Sequence, residues 1–381
     1  MRTKTTDYNT AFGKRALRGS ALLATSALAL GLVACGDGNE TNTASGSQAD
    51  KRQITVENCG VEQSYAAPVE KMLVNDANII ALALAVGAED QISAVSAAQR
   101  GLPLLEQAFG PGIADKDQIS EEYPNLEQVL AAEPDIYVAG WNYGFSESTG
   151  VNPDALAEHD IATYTLTESC RQEAAGEDNS RVGYQRGIVD PWEAVRIDLR
   201  NLGAITGNEQ QADEVIADMD NRLKALEQAA QPEAAPVGLI FDSATKAPFT
   251  SGAFGAPQGI LENAGAVNAA ADIEDTWTTT TWEKIAESEP DFIAFVDYPG
   301  QTFAEKVEMV RNNPATRDLE AVKENRFINL PYSMWTESPL NIDAAEYVRA
   351  ALEEFGLAPK SEISPKLTLP EDLDGREYFT R

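Results

Sequence analysis

One unit of sequence occurs twice, and each copy consists of a short helix, a Pro-Asp pair and an apolar strand. The first copy, residues 125–141, reads NLEQVLAAEPDIYVAGW, and the second, residues 281–296, reads TWEKIAESEPDFIAFV. The proline ends each helix because it has no N–H to donate, and the apolar run after it has the length of a buried strand. Chance similarity is the alternative, since such units are common, but the repeat favours two similar α/β lobes.

Strands and helices alternate on both sides of this unit. Apolar runs predict strands at residues 69–74, 91–96, 136–139, 161–164, 237–242 and 326–330, and helical spacing predicts helices at 77–86, 152–159, 257–264 and 342–355. This alternation predicts a mostly parallel, doubly wound sheet. Residues 191–228 keep helical spacing, with a break or bend at Gly207 and Asn208, and predict a helical spine between the lobes.

The beginning of the chain has the features of an export signal. A basic stretch is followed by an apolar run at residues 21–33, which is short for a membrane-spanning helix, and the run ends in Leu-Val-Ala before Cys35. This resembles a bacterial lipobox, which implies that Cys35 is lipidated and becomes the new N-terminus. An ordinary signal peptide with a chance cysteine is the alternative. We expect a protein on the extracytoplasmic face of a cell membrane, anchored by lipid on Cys35.

These patterns divide the chain into six parts, which we give as expectations. They are a lipoprotein signal peptide at 1–34, a flexible tether at 35–58, an N-terminal α/β lobe at 59–189, an inter-lobe helix at 190–230, a C-terminal α/β lobe at 231–357 and a tail at 358–381. The tether is proposed because residues 36–50 are rich in Gly, Asn, Thr and Ser and have no apolar period. A length of 381 residues suits two lobes.

Several kinds of function are disfavoured by composition. A net charge of −32 would repel a nucleic acid. The only histidine, His159, stands between a predicted helix and strand, where it is expected to be a surface residue. One histidine leaves no zinc site of the usual kind and no Ser-His-Asp triad, and there is no phosphate-binding loop. We therefore expect no catalytic residue, no metal site, no resident cofactor and no enzymatic activity.

The chain carries a group of aromatic and polar residues where predicted strands end. In α/β sheets ligands bind outside the carboxyl ends of the strands, and aromatic walls suit a large, partly apolar ligand. For each aromatic residue the alternative is packing in the core. The predicted ligand-binding residues are Asn75, Arg100, Trp141, Tyr143, Phe145, Thr250, Trp277, Tyr298, Tyr332 and Trp335.

With these residues in view, residues 59–357 resemble the substrate-binding lipoproteins of ABC importers for ferric siderophores, cobalamin and haem. The resemblance is carried by VEKMLVNDANIIALALAVGAEDQISAV, NLEQVLAAEPDIYVAG, APFTSGAFGAPQGILENAGA, TWEKIAESEPDFIAFVDY and LEAVKENRFINLPYSMW. It implies the fold of the rigid-helix class of periplasmic binding proteins, an α/β fold with two Rossmann-like lobes joined by a long α-helix and a ligand cleft between the lobes.

The resemblance also implies roles for particular residues. The matched glutamates Glu127 and Glu283 would dock onto arginines of the permease; a general preference for acidic residues in the first turn of a helix is the alternative. Cys59 and Cys170 are the cysteines that remain beside Cys35, and an exported protein favours a disulfide between them, with two buried free thiols as the alternative. The sequences around both cysteines resemble one branch of the family, which supports the bridge.

One position departs from the family. Many siderophore-binding members carry an arginine in a Gly-Pro-Arg segment near the cleft, and here Leu340 stands in its place, which weakens the case for a strongly anionic ligand at that point. Arg100 or Lys246 would then supply positive charge. Haem, with a tyrosinate such as Tyr143, Tyr298 or Tyr332 as axial ligand, and cobalamin both remain open.

The function expected from the sequence is ligand delivery. We expect a monomeric solute-binding lipoprotein that binds a ferric siderophore and hands it to an ABC permease dimer, with the iron carried by the ligand and not by the protein. A haem- or cobalamin-binding protein of the same transporter class is one alternative. A secreted sensor or adhesion protein that kept the fold and lost transport is the other.

Overall fold

The computed structural model describes residues 51–173 and 184–380. The predicted signal peptide, Cys35 and most of the predicted tether therefore lie outside the described residues. Within the described part, no helix has both the length and the apolar character that are needed to cross a bilayer.

The N-terminal lobe begins with an antiparallel hairpin that precedes a parallel sheet. The hairpin consists of β1 (Arg52–Asn58) and β2 (Val61–Ala67). The elements that follow are β3 (Met72–Asn75), α1 (Ala77–Ala85), β4 (Ile92–Ser96), α2 (Leu102–Phe109), β5 (Asp117–Ser120), α3 (Leu126–Ala131), β6 (Ile136–Trp141), β7 (Gly144–Phe145), α4 (Pro153–Ala157), β8 (Ala162–Thr165), β9 (Gln172–Glu173) and β10 (Tyr184–Gln185). The order β5-β4-β3-β6-β8 is parallel throughout, with β7 attached to the end of β6.

Two helices stand between the lobes. They are α5 (Pro191–Thr206) and α6 (Glu209–Gln228), and Gly207 between them has a φ of 78°. That left-handed conformation, which glycine adopts without strain, reverses the chain. The helices run antiparallel, because Arg196 Nε donates to Asp220 Oδ1 at 2.8 Å while Gly203 lies against Ala212. The structure therefore corrects the single spine over 191–228 to a helical hairpin.

Helix α6 makes the long connection between the lobes. Its 20 residues span about 30 Å. Near its start Gln211 lies against Gly87, which follows α1 of the N-terminal lobe. Near its end Arg222 bonds to Asp343 and Glu346 at 2.6 Å, and both carboxylates belong to the last helix of the C-terminal lobe.

The C-terminal lobe repeats the parallel plan and adds a small antiparallel sheet. Its elements are β11 (Val237–Phe241), β12 (Ser243–Ala244), β13 (Pro248–Ser251), α7 (Ala256–Ala264), β14 (Val267–Asn268), β15 (Trp277–Thr279), α8 (Trp282–Glu287), β16 (Phe292–Asp297), α9 (Phe303–Asn312), α10 (Glu320–Lys323), β17 (Phe327–Pro331) and α11 (Asn341–Glu354). Strands β14-β11-β16-β17 are parallel, and β12-β13-β15 form the antiparallel sheet.

The repeated sequence unit forms the same structure in both lobes. Glu133 and Glu289, which precede the two prolines, both have a φ of 44°. The aspartate after each proline joins its unit to the neighbouring strand: Asp135 Oδ2 accepts from the backbone N–H of Lys71, and Asp291 Oδ2 accepts from that of Val237. In return the backbone N–H of each aspartate donates to the carbonyl of the same partner. The repeat therefore marks equivalent positions of two lobes.

The fold class expected from the sequence is confirmed, and one predicted boundary changes. Residues 52–58 form β1, so the predicted tether of 35–58 extends too far toward the C-terminus. The tail after residue 357 packs on the protein through Leu369 and Phe379, which are buried. Cys59 and Cys170 form a disulfide, as expected, and it joins the turn after β1 to the end of the N-terminal sheet.

Candidate functional site

A cavity of about 310 Å³ lies where loops of the two lobes meet. Its walls come from loops that follow strands in both lobes, such as the loop after β6 and the loop after β17. The lining residues are Arg100, Tyr123, Asn142, Tyr143, Arg186, Asp242, Phe249, Trp277, Tyr298 and Tyr332. Carboxyl ends of parallel strands are where α/β proteins bind ligands, so this is the candidate site.

Five of the ten residues predicted from the sequence line this cavity. They are Arg100, Tyr143, Trp277, Tyr298 and Tyr332. Trp141 lines an adjoining cavity of about 290 Å³ together with Asn142, Arg171 and Arg186. The two cavities share Asn142 and Arg186, so a ligand in the first has the second as its neighbour.

The other four predicted residues do not line either cavity. Phe145 is buried against the rings of Tyr137 and Trp141, and Trp335 is fully buried. Thr250 Oγ1 donates to the carbonyl of Ile240 at 2.6 Å inside the lobe. Successive side chains of a strand point to opposite faces, so a place near a strand end does not fix which way a side chain points.

Asn75, the fourth of these residues, supports the cavity wall from behind. It is buried, and its Nδ2 donates to the backbone carbonyl of Tyr143 at 2.8 Å. Ser96 Oγ donates to Asn75 Oδ1 at 2.7 Å. Asn75 therefore holds the loop that carries Tyr143 and does not itself line the cavity.

Five lining residues were not expected from the sequence. Asp242 directly follows β11, and Asn142 follows Trp141, so the strand-end rule offered a signal for both. Phe249 stacks on Trp277 with ring centroids 6.3 Å apart and forms an aromatic wall. Tyr123 and Arg186 lie in irregular segments, for which strand and helix patterns give no signal.

Two arginines give the cavity its positive charge. Arg100 is partly buried and lies over the ring of Tyr123, 4.8 Å from its centroid, while its Nη2 pairs with Glu122 at 3.3 Å. Arg186 is held by Asn142, whose side-chain oxygen, in the orientation that satisfies both groups, accepts from Nη1 at 2.7 Å. Next to them, in the adjoining cavity, Arg171 lies 3.1 Å from the ring centroid of Trp141. Together these guanidinium groups suit an anionic ligand.

The lining also holds one acidic residue, Asp242, which accepts from Tyr298, while two other groups considered from the sequence lie outside the cavity. Leu340 is buried and lines a separate groove beside α6, so its replacement of a family arginine does not alter the charge of the cavity. Lys246 is exposed and does not line the cavity. The positive charge expected from Lys246 is supplied by Arg186 instead. His159 is exposed, as expected.

The phenols of the cavity are neutral at ordinary pH. Burial raises the pKa of Tyr143 and of Tyr332 well above the usual value for tyrosine. Burial also raises the pKa of Tyr298, and Asp242 acts in the same direction. Behind them, burial raises the pKa of Asp76, although hydrogen bonding by Tyr123 and the charge of Arg100 oppose that rise.

Behind the cavity, three buried acids meet at the junction of the lobes. Glu168, which follows β8, accepts from the backbone N–H of Ala256 at the start of α7, at 3.1 Å. Glu337, which precedes α11, accepts from the backbone N–H of Glu168 at 2.6 Å. Asp198 on α5 accepts from Tyr164 and from Thr167. Each acid is at most 3% exposed. The contact between the lobes therefore includes three carboxyl groups that are shielded from water.

The two matched glutamates lie on the outside of the lobes. Glu127 and Glu283 are the second residues of α3 and α8, and both are exposed. The first helix is capped by Asn125 and the second by Thr281. Neither carboxylate takes part in an ion pair among the described residues. Both are therefore accessible to a partner, at equivalent places of the two lobes.

The described residues give no sign of a metal site made by the usual protein ligands. Among residues 51–173 and 184–380, no group of three His, Cys, Asp or Glu side chains is arranged to hold a metal ion.

Comparison with known proteins identifies a family and a fold. A family model for periplasmic binding proteins matches residues 74–333, and no curated protein matches. A periplasmic binding protein from Veillonella parvula has a TM-score of 0.64 at 21% identity, covering 80% of this chain and 98% of its own. An ABC-type Fe3+-hydroxamate transport protein from Saccharomonospora viridis has a TM-score of 0.63 at 19% identity, covering 78% and 98%.

A third similar structure is a periplasmic heme-binding protein from Pseudomonas aeruginosa. Its TM-score is 0.57 at 17% identity, and the alignment covers 77% of this chain and 96% of that one. At these identities the similarity establishes the shared fold and leaves the ligand of this chain open.

Proposed function

We propose that this chain, which belongs to the periplasmic binding protein family, binds an iron–siderophore complex between its lobes and delivers it to the permease of an ABC importer. The observation that carries this proposal is the cavity at the meeting of the lobes, which is lined by two arginines and by aromatic rings. The similar Saccharomonospora protein is named for ferric hydroxamate transport, which agrees with this ligand class.

The chemistry of the cavity suits a ferric chelate. Arg100 and Arg186 offer donors to the oxygen atoms of an anionic complex, and Arg171 extends this surface into the adjoining cavity. Trp277, Phe249 and Tyr298 offer flat walls for the organic part of the chelate. A volume of about 310 Å³ is near the lower limit of typical ligand pockets, which favours a compact chelate over the much larger cobalamin.

Haem is the second candidate. Its propionates suit the same arginines, and the similar Pseudomonas protein is named for heme binding. A tyrosinate axial ligand would have to come from a phenol such as Tyr143 or Tyr332, and ferric iron itself would lower the pKa of the phenol that it binds. The cavity volume of about 310 Å³, which favours a compact chelate, places haem behind a siderophore.

We further propose how the protein meets its membrane partner. Lipid on Cys35 anchors the chain to the extracytoplasmic face, and Glu127 and Glu283 dock onto basic residues of a permease dimer, one glutamate for each lobe. The protein acts as a monomer and turns over no substrate. Exposure of the two carboxylates at equivalent places of the lobes supports the docking.

Uptake of iron by cells tests the proposal. Cells that lack the protein are expected to lose uptake of one radiolabelled ferric siderophore, and the wild-type gene is expected to restore it. A sensor or adhesion protein with the same fold would bind the complex without affecting uptake. Normal uptake of every ferric siderophore that the purified protein binds would therefore contradict the transport function.

A further inference from the structure

Three phenols of the cavity share one feature, which is that each donates its proton to a carboxylate. Tyr123 Oη lies 2.6 Å from Asp76 Oδ2, and Tyr332 Oη lies 3.2 Å from the same oxygen. Beside Tyr332, whose ring centroid is 5.9 Å from its own, Tyr298 has its Oη 2.7 Å from Asp242 Oδ1. Asp76 belongs to the N-terminal lobe and Tyr332 to the C-terminal lobe, so this arrangement also spans the junction.

The direction of these hydrogen bonds follows from the groups around them. Arg100 Nη1 is 3.3 Å from Tyr123 Oη, and a guanidinium can only donate. The Tyr123 oxygen therefore accepts from Arg100, and its own proton goes to Asp76. The other carboxylate oxygen of Asp76 is occupied, since it accepts from the backbone N–H of Ala77 at the start of α1 at 2.8 Å.

The direction of these hydrogen bonds determines whether the phenols donate to a ligand or accept from it. A phenol has one proton, so a tyrosine that gives its proton to a carboxylate presents only lone pairs on its other side. In this cavity Tyr332 and Tyr298 are then acceptors, as is the remaining lone pair of Tyr123. The donors are Arg100 and Arg186. The cavity thus offers both donors and acceptors to a ligand, and the donor Arg100 lies directly beside the acceptor Tyr123.

We propose that Asp76 is a positioning residue that sets the hydrogen-bonding direction of Tyr123 and Tyr332. The ligand presents N–H or O–H donors to these two phenols while its anionic oxygens face Arg100 and Arg186. The proposal rests on the function given above, because it assumes that a chelate occupies this cavity. It narrows the ligand class to complexes with donor groups on their surface.

Asp76→Asn reverses the direction of the hydrogen bonds between residue 76 and the two phenols with the least change in side-chain shape. Asparagine is as good a helix N-cap as aspartate, so one side-chain oxygen continues to accept from Ala77. The second oxygen becomes an NH₂ group, which donates to the phenols, and their protons then turn toward the cavity. Thermal unfolding of the variant checks that the fold is kept.

Two ferric complexes that differ only in whether each hydroxamate nitrogen carries a hydrogen or a methyl group provide the ligand test. Ferric tris(acetohydroxamate) carries N–H groups, and ferric tris(N-methylacetohydroxamate) carries none. In the full chain, Asp76→Asn is expected to weaken binding of the N–H complex about tenfold and to leave the N-methyl complex unchanged. In a Tyr123→Phe/Tyr332→Phe background, Asp76→Asn is expected to have no further effect. Equal losses for both complexes would overturn the proposal.

A measurement without ligand separates this proposal from the function on which it rests. The near-ultraviolet difference spectrum of Asp76→Asn against the wild type is expected to show a shift of the tyrosine band, and this shift is expected to vanish in the Tyr123→Phe/Tyr332→Phe background. Absence of the shift in the single variant overturns the proton assignment. If the spectrum shifts but the wild type binds neither complex, Asp76 directs the phenols as proposed and the ferric hydroxamate function fails.

Discussion

Arg100 reaches the cavity from a short 3-10 helix after β4 and Arg186 from the segment after β10, and neighbouring groups hold each of them in place. Arg100 lies between the ring of Tyr123 and the carboxylate of Glu122, and Arg186 is oriented by Asn142. Ordered guanidinium groups lose little side-chain entropy when a ligand arrives. They are therefore the residues on which affinity for an anionic chelate should depend most.

Replacing either arginine by glutamine removes one charge from the cavity and keeps most of the side chain. We expect Arg100→Gln and Arg186→Gln to weaken binding of an anionic ferric siderophore by about 10- to 100-fold each, the usual worth of a hydrogen bond from a charged group. Isothermal titration measures the change. Arg200→Gln on the exposed side of α5 is the control and should bind as the wild type does. Wild-type affinity in both cavity variants would contradict the anionic ligand.

The sequence predicts the cavity residues that follow strands better than those in irregular segments. Tyr298 and Tyr332 were found because they follow strands of a parallel sheet, and the place of a strand end is a property of the local pattern. Thr250 and Phe145 follow the same rule and point into the core, because the direction of a side chain depends on the packing of the lobe. Tyr123 and Arg186 come from irregular segments, whose path only tertiary contacts determine.

At the scale of elements, the repeated unit predicted most of the architecture. A helix, a Pro-Asp pair and a strand depend on short-range effects: a cap, a proline that ends the helix and an apolar run. The spacing of apolar residues predicts a break at Gly207, but it does not show whether the chain bends there or reverses its direction. The reversal depends on contacts between α5 and α6, such as that of Gly203 with Ala212.

The two helices of the repeated unit are the proposed contacts with the permease. We expect Glu127→Lys together with Glu283→Lys to abolish uptake and to leave ligand affinity unchanged, because both residues lie outside the cavity and reversal of charge would repel basic partners. Glu308→Lys, which is exposed on α9 and lies outside both helices, is the control and should support normal uptake. Normal uptake by the double variant would show that these glutamates do not dock.

The disulfide joins elements that are far apart in the chain. Cys59 and Cys170 are separated by 111 positions, and in the chain-entropy model a loop of that length stabilises the fold by about 4–5 kcal/mol. We expect Cys59→Ser with Cys170→Ser to lower the free energy of unfolding by this order, measured in urea. Stability equal to that of the wild type, with the same denaturant dependence, would show that the bridge contributes little.

At the scale of the whole molecule, the lobes meet through the buried acids Glu168, Asp198 and Glu337. Burial raises the pKa of Glu168 to about 7, while the backbone N–H of Ala256 and the charge of Arg186 limit the rise. Burial also raises the pKa of Asp198 and of Glu337, and the negative charges of the other two acids add to the rise for Glu337. The junction therefore favours protonated acids.

This predicts that mild acid stabilises the protein. A folded-state pKa of about 7 lies above the ordinary value of 4.5, so the folded protein binds more protons than the unfolded chain between these values. Glu168 therefore contributes stability that is fully present below pH 4.5 and is lost as the pH rises through about 7. The melting temperature should rise as the pH falls from about 7 to about 5, and Glu168→Gln should reduce this dependence. The same pH dependence in the variant would contradict the role of Glu168.

A ferric chelate that binds between the lobes would contact Trp277 in the cavity wall, so the fluorescence of this tryptophan reports directly on binding. The measurement is a fluorescence titration of the protein with ferric siderophores, haem and cyanocobalamin, repeated with Trp277→Phe. We expect saturable quenching by a ferric siderophore, with most of the signal lost in the variant. Saturable quenching by haem or cyanocobalamin and by no ferric siderophore would contradict it, as would quenching by a siderophore that Trp277→Phe leaves unchanged.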